Sequence, residues 1–172
     1  VTQKSPGHDE AFRKAMDSAY RILSIRSRSE EELRQKLRQK GFQDSIVNEI
    51  ISSLKEKGYV NDADFALNFS RYLLRTRRYG LIRIAEELRK KGVPPGTVRD
   101  VVQVLRREID EREMVVSSLE GRLRRNDISR MDEKGKKRIV QYLYRKGFPL
   151  NTIYEVLKSR KWNGVYDDRE GD

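Results

Sequence analysis

Arg71, Arg75 and Arg78 stand at i, i+4 and i+7, the interval that brings side chains to one face of a helix. Guanidinium groups on such a face make multiple charge-assisted hydrogen bonds to phosphates or carboxylates. The chemistry on offer is therefore the binding of an anionic partner, with no bond made or broken. The same stretch adds Arg77, Arg83, Arg89, Lys90 and Lys91, met only by Glu86 and Glu87 between residues 71 and 91. A merely solvated helix face would carry the same residues, so both readings stay open. Tyr72 and Tyr79 offer rings for base stacking, although aromatic side chains at helix seams more often serve packing.

Residues suited to a reaction are few. The chain has one histidine, His8, in a leader expected to be flexible, and no cysteine, which excludes disulfides and thiolate metal sites. The stretch "MDEKGKKRI" has a Gly-Lys pair but lacks the first glycine and the preceding strand of a phosphate-binding loop. Asp62 and Asp64 could be imagined as paired carboxylates, yet a place at a helix start favours capping. The expectation is a protein that is not an enzyme and needs no metal or cofactor.

Such cations need a scaffold, and the sequence writes one three times. "LRQKLRQKGFQ" at 33–43 returns as "LRKKGVP" at 88–94 and as "LYRKGFP" at 143–149; the glycines, Gly41, Gly92 and Gly147, are 51 and 55 residues apart. Before them lie Leu33 and Leu37, Ile84 and Leu88, and Ile139 and Leu143, each an i, i+4 pair on one helix face. After them come Val47, Ile50, Ile51 and Leu54, then Val98, Val101, Val102 and Leu105, then Ile153, Val156 and Leu157. This is the stripe of a second amphipathic helix. Glycine just past a helix end takes the left-handed conformation without a side-chain clash, and the preceding Lys40, Lys91 and Lys146 suit the negative end of the helix dipole. Phe42, Val93 and Phe148 can then tuck back against the helix they follow.

A further helical segment precedes each pair, roughly 11–26, 62–77 and 108–125. Ser29 with Glu32 forms a candidate capping box, and Pro94 and Pro95 fit a loop and a first helical turn. No sustained alternation of apolar and polar residues marks a strand. The fold expected is all-α, a tandem array of three three-helix repeats, elongated and curved. The boundaries expected are a flexible leader over 1–10, repeats over 11–60, 61–107 and 108–161, and a tail over 162–172 with Trp162 as its one anchor.

Across 172 residues, 38 Lys and Arg stand against 27 Asp and Glu, a formal charge of +11 that favours an anionic partner. The excess centres on the middle repeat: residues 61–107 hold 11 basic and 5 acidic side chains, against 12 and 9 before them and 15 and 13 after. No run of about 18 apolar residues offers a membrane span, and the first ten residues lack an apolar signal core. A cytoplasmic monomer is expected.

The run "KGYVNDADFALNFSRYLLRTRRYGLIRIAEELRKKGV" from Lys57 to Val93, preceded by "SRSEEELRQKLRQKGF", resembles the RecX family of bacterial regulators of the recombinase RecA. The elements that carry the resemblance are the helix start from Asp62 to Ala66, Arg71, Gly80 and the "ELRKKG" close. The likeness extends over most of residues 11–160, more loosely in the third copy. It implies tandem three-helix repeats lying in the groove of the RecA filament, inhibiting its ATP hydrolysis, strand exchange and coprotease activity in DNA repair and recombination. It supplies no catalytic residues. The site residues expected are the basic ridge above, with Lys36, Arg38, Lys136, Lys137 and Arg138 as outer contributors. Single- or double-stranded DNA is the other candidate partner, either within the filament or bound directly by a helical-repeat protein that acts without RecA. A protein-only adaptor whose charge serves solubility is a further alternative, and a nuclease is a distant one.

Overall fold

The computed structural model describes residues 6–123 and 131–159. Among these, nine helices and no strands occur: α1 (Pro6–Ile25), α2 (Glu30–Gln39), α3 (Asp44–Glu56), α4 (Asp62–Arg77), α5 (Leu81–Lys90), α6 (Pro95–Glu108), α7 (Glu111–Leu123), α8 (Glu133–Arg145) and α9 (Leu150–Ser159). The expected all-α array of three three-helix repeats is what the chain forms. It divides into two compact units, one of Val1–Arg71 with Glu86–Val101, the other of Tyr72–Ala85 with Val102–Asp172.

In the first unit, α1, α2 and α3 close on a core of Ala15, Ala19, Leu33, Leu37, Val47, Ile50, Ile51 and Leu54. The two alanines of α1 are fully buried, and their small side chains let neighbouring helices approach. In the second unit, α7, α8 and α9 bury Val115, Leu119, Ile139, Leu143, Phe148, Ile153, Val156 and Leu157. The i, i+4 pairs read from the sequence are all in the interior, including Ile84 and Leu88 of α5.

The recurring phrase ends its helix in the same way each time. Gly41, Gly92 and Gly147 have φ of 86°, 74° and 88°. Their N–H groups donate to the carbonyls of Arg38, Arg89 and Tyr144, and those of Phe42, Val93 and Phe148 donate to Leu37, Leu88 and Leu143. This double closure satisfies the last carbonyls of the helix and folds an apolar residue back onto it. A fourth copy ends α3, where Gly58 (φ 74°) and Tyr59 donate to Lys55 and Leu54.

Two of these glycines also serve a second purpose. In the first unit the end of α5 meets the start of α2: the Ser29 hydroxyl donates to the Lys91 carbonyl, and a Cβ on Gly92 would overlap the Glu31 side chain. In the second unit the end of α8 meets the start of α5: Gly80 N–H donates to the Lys146 carbonyl at 2.8 Å. There a Cβ on Gly147 would strike the Arg83 backbone, and one on Gly80 would strike the Gly147 carbonyl. In both joints the residue preceding a helix donates to the carbonyl before a phrase glycine. Nothing lies within 4 Å of a Cβ built on Gly41.

Several local expectations are corrected. α1 starts at Pro6, inside the leader expected to be flexible, because proline suits the first helical position, and His8 Nε2 lies 3.1 Å from Glu49 Oε1 of α3. Asn61 caps α4, its Oδ1 accepting from Ala63 and Asp64 N–H. Asp62 instead reaches across to accept from Glu30 N–H at the start of α2. Ser29 accepts from Glu32 N–H, but the Glu32 carboxylate is drawn off to cations, so the return half of the capping box is replaced. Helix α4 stops at Arg77 and Arg78 adopts φ 51°. The i+7 residue of the basic ridge therefore leaves the helix that the spacing assumed. Trp162 and the tail lie outside the described residues.

The two roles of glycine separate in a stability measurement. Gly41→Ala should cost about 1 kcal/mol, the penalty of a left-handed alanine in open space. Gly147→Ala adds an overlap with backbone and should cost a further 1–3 kcal/mol or so. Denaturant unfolding of the two variants checks this, and equal losses would show that the joint contributes nothing.

Candidate functional site

In the first unit Lys91, Lys90 and Arg38 are already engaged. Lys91 Nζ lies 2.8 Å from Glu32 Oε1 and 5.8 Å from the Phe69 ring centroid. Arg26 adds a second bond to the same carboxylate at 2.8 Å. Burial alone would raise the Glu32 carboxyl, but the hydrogen bonds from Arg26 and Lys91 outweigh it and hold the pKa at about 2. Lys90 pairs with Glu87 at 3.0 Å, and Arg38 with Asp44 at 2.6 Å. Burial pushes the Asp62 carboxyl up, the Glu30 N–H opposes this, and the Glu30 charge adds to the rise. Arg71 and Arg89 are exposed on α4 and α5, and Lys36 is half-buried on α2.

The second unit holds the rest. Arg75 lines a groove with Leu74, Ile109 and Met114, whose rim includes Glu108, Asp110 and Glu113. Its charge therefore faces carboxylates of its own chain. Arg78 lies over Gly121 and its Nη1 donates to the Ser117 carbonyl at 3.0 Å. Lys136 pairs with Glu133 at 2.8 Å, while Lys137 and Arg138 are exposed on α8. Within the second unit, Arg77, Arg78 and Arg83 of the expected set fall together with two cations outside it, Lys146 and Arg122.

That set centres on Lys146, which charge counting passed over. Its Nζ donates to the Arg77 carbonyl at 2.6 Å and lies 5.1 Å from the Tyr79 ring centroid and 5.6 Å from that of Tyr142. Arg83 sits 5.7 Å over Tyr79, and Arg122 sits 4.3 Å over Tyr142. Each such contact is worth roughly 0.5–1 kcal/mol where exposed. The result is a row in the order Arg83, Tyr79, Lys146, Tyr142, Arg122. Burial first, then the nearby charges of Arg77 and Arg78, lower the Lys146 pKa from the ordinary lysine value. Among the described residues no carboxylate forms an ion pair with Arg77, Arg78, Arg122 or Lys146. Arg78 and Lys146 donate to backbone carbonyls, and Lys146 and Arg122 lie over ring faces. The spacing of Lys146 in the repeated phrase was the signal that could have found it.

Among the described residues, no group of three or more His, Cys, Asp or Glu side chains could hold a metal ion, and no helix is long and apolar enough to cross a membrane. The arrangement can bind anions.

Three family models match the chain, described as the first, second and third three-helix domains of RecX, over residues 15–54, 61–102 and 110–157. A "Regulatory protein RecX" of Amycolatopsis mediterranei is 32% identical over 154 residues, covering 87% of this chain and 85% of the relative. One from a Geobacillus species is 32% identical over 152 residues, and there the match takes in 88% of this chain but 55% of the relative's length. The crystal structure of RecX from Lactobacillus salivarius superposes with a TM-score of 0.77 at 25% identity, over 89% of this chain and 98% of that one.

The Glu32 cluster should behave as structure. A carboxyl whose folded pKa of about 2 lies below its unfolded value near 4.3 contributes stability that is complete at neutral pH. That contribution is lost as pH falls from about 5 toward 2. Glu32→Gln should be less stable than the parent at pH 7 and lose less on acidification, and denaturation midpoints followed from pH 7 to about 3 check it. A parent-like pH profile in the variant would refute the assignment.

Proposed function

The chain belongs to the RecX family, and on that premise we propose that it is a non-catalytic regulator that binds the RecA nucleoprotein filament. There it restrains ATP hydrolysis, strand exchange and coprotease activity, acting as a cytoplasmic monomer without a cofactor in DNA repair and recombination. The observation that carries this reading is the group of cations in the second unit that have no carboxylate partner among the described residues. It gives the helical surface a place prepared for an anionic partner. Arg77 and Arg78 are the residues expected at the contact, with Arg71, Arg75, Arg83, Arg89, Lys36, Lys137 and Arg138 as further cations. Lys90, Lys91, Arg38 and Lys136 already pair within the chain and are expected to support the fold instead.

A nucleoprotein filament presents both acidic protein surface and phosphate, which suits a basic helical array. The direct DNA-binding alternative draws on the same cations and differs in needing no recombinase.

The test is single-strand-dependent ATP hydrolysis by the cognate RecA, with this protein added well below the amount that covers the DNA. Inhibition is expected there, and Arg77→Glu should raise the half-inhibitory concentration about tenfold, roughly 1.4 kcal/mol of binding. Lys90→Gln should leave it close to the parent value. Inhibition that appears only once the DNA is saturated would mean competition for DNA and would sink the filament reading.

A further inference from the structure

Helix α9 ends at Ser159, which lines a groove of about 610 Å³ between α9 and α7. The groove's surface is mostly apolar, with Val116 and Val156 in its lining, and the Arg112–Glu155 ion pair links its two helices. In the first repeat the corresponding end of α3 is sealed by the residues that follow it. Gly58 takes φ 74°, its N–H donates to the Lys55 carbonyl, and the N–H groups of Tyr59 and Val60 both donate to the Leu54 carbonyl. Val60 is thereby folded into the same core as Leu54, the two being 3% and 0% exposed.

The sequence after α9 repeats that closure in the same register. Gly58 lies 17 residues after Gly41, and Gly164 lies 17 residues after Gly147. At this interval "LKEKGYVND" (54–62) stands against "RKWNGVYDD" (160–168), so that Val165 and Tyr166 take the places of Tyr59 and Val60, and Asp168 that of Asp62. The interval is not common to every copy, since the second repeat has Ile109 in the glycine position. The two core positions change size in opposite senses: Leu54 with Val60 becomes Arg160 with Tyr166, and a large ring arrives where the apolar stripe lacks its last member. We propose that the segment 160–168 folds back over the groove between α7 and α9, with Gly164 in the left-handed conformation and the Tyr166 ring seated against Val116 and Val156. Tyr166 is seven residues beyond Ser159, a reach of up to about 23 Å. The lining residues of α7, from Arg112 to Glu120, span only about 12 Å of helix. A tyrosine suits the place because its ring leaves water while its hydroxyl stays in it. Trp162 falls instead at the position of Glu56, which is exposed on α3.

Amide hydrogen exchange of the full chain, followed by NMR, tests this without any partner present. The N–H groups of Val165 and Tyr166 should exchange at least about tenfold more slowly than in an unstructured chain, at every protein concentration. Tyr166→Ser, which withdraws the ring, and Gly164→Val, which strains the left-handed turn, should each abolish that protection and lower the denaturation midpoint. The amide of Leu143, fully buried on α8, should stay protected in both variants and shows that the unit remains folded. Trp162→Ser should leave the exchange of Val165 and Tyr166 within about twofold of the parent. The proposal is overturned if the two amides exchange freely in the parent, or if Tyr166→Ser or Gly164→Val keeps their protection. Loss of protection in Trp162→Ser would seat the indole in the groove and overturn it as well. Protection that appears only as the protein is concentrated would mean that a second copy covers the groove, which is equally fatal to it.

Discussion

The molecule depends on the close approach of one helix end to another helix start, with a main-chain carbonyl as the acceptor. At the Lys91 carbonyl the donor is a serine hydroxyl, and at the Lys146 carbonyl it is the N–H of Gly80. A helix end has carbonyls without partners, and a helix start has N–H groups in the same position. Meeting end to start lets each supply part of what the other lacks and opposes the partial charges of the two dipoles. The phrase glycine leaves room for this approach, and a Cβ on Gly92, Gly147 or Gly80 would overlap atoms of the facing segment. In a chain with many charged residues and small cores, these backbone joints set where the polar surface lies.

The charge pattern follows from that geometry. The lysine before each phrase glycine is carried to a joint, where its environment decides its role. Lys91 finds Glu32 and becomes an ion pair shared with Arg26. Lys146 finds a carbonyl and two tyrosine rings, with Arg77 and Arg78 close by. One lysine is neutralised by the fold and the other is left charged among cations. Equivalent positions in a repeat have thus been given opposite electrostatic roles by the residues across from them.

Much of this was legible in the sequence because helix ends are local. The phrase glycines, the apolar pairs and the trailing stripes each report on a few neighbouring residues, and the helices followed them closely. What was not legible depends on contacts between distant segments. Asp62 reads as a cap for its own helix, yet it bonds the N–H of Glu30 at the start of α2, and no spacing rule relates the two. Arg78 lies at a helical interval from Arg71, but the helix stops one residue earlier, and a left-handed arginine carries no signature comparable to glycine. Lys146 reads in the sequence only as a helix-end cation because the third repeat is nearly neutral as a whole, with 15 basic and 13 acidic side chains from 108 to 172. A balanced total conceals a cluster whose opposite charges lie elsewhere on the surface.

The joint has a direction, since in each case the helix end of a later repeat meets the helix start of the one before it. An added repeat placed ahead of the first would need only a residue able to donate a hydrogen to the Lys40 carbonyl, since the space beside Gly41 is open. One placed after the third would bring its helix end to Asp132, the residue that caps α8 by accepting from Gly135 N–H. An ionised aspartate side chain has no hydrogen to give, and it would set a negative charge against the incoming carbonyl. An incoming carbonyl there would have to take the Asp132 N–H, as the Lys146 carbonyl takes that of Gly80, beside a carboxylate that Gly80 does not carry.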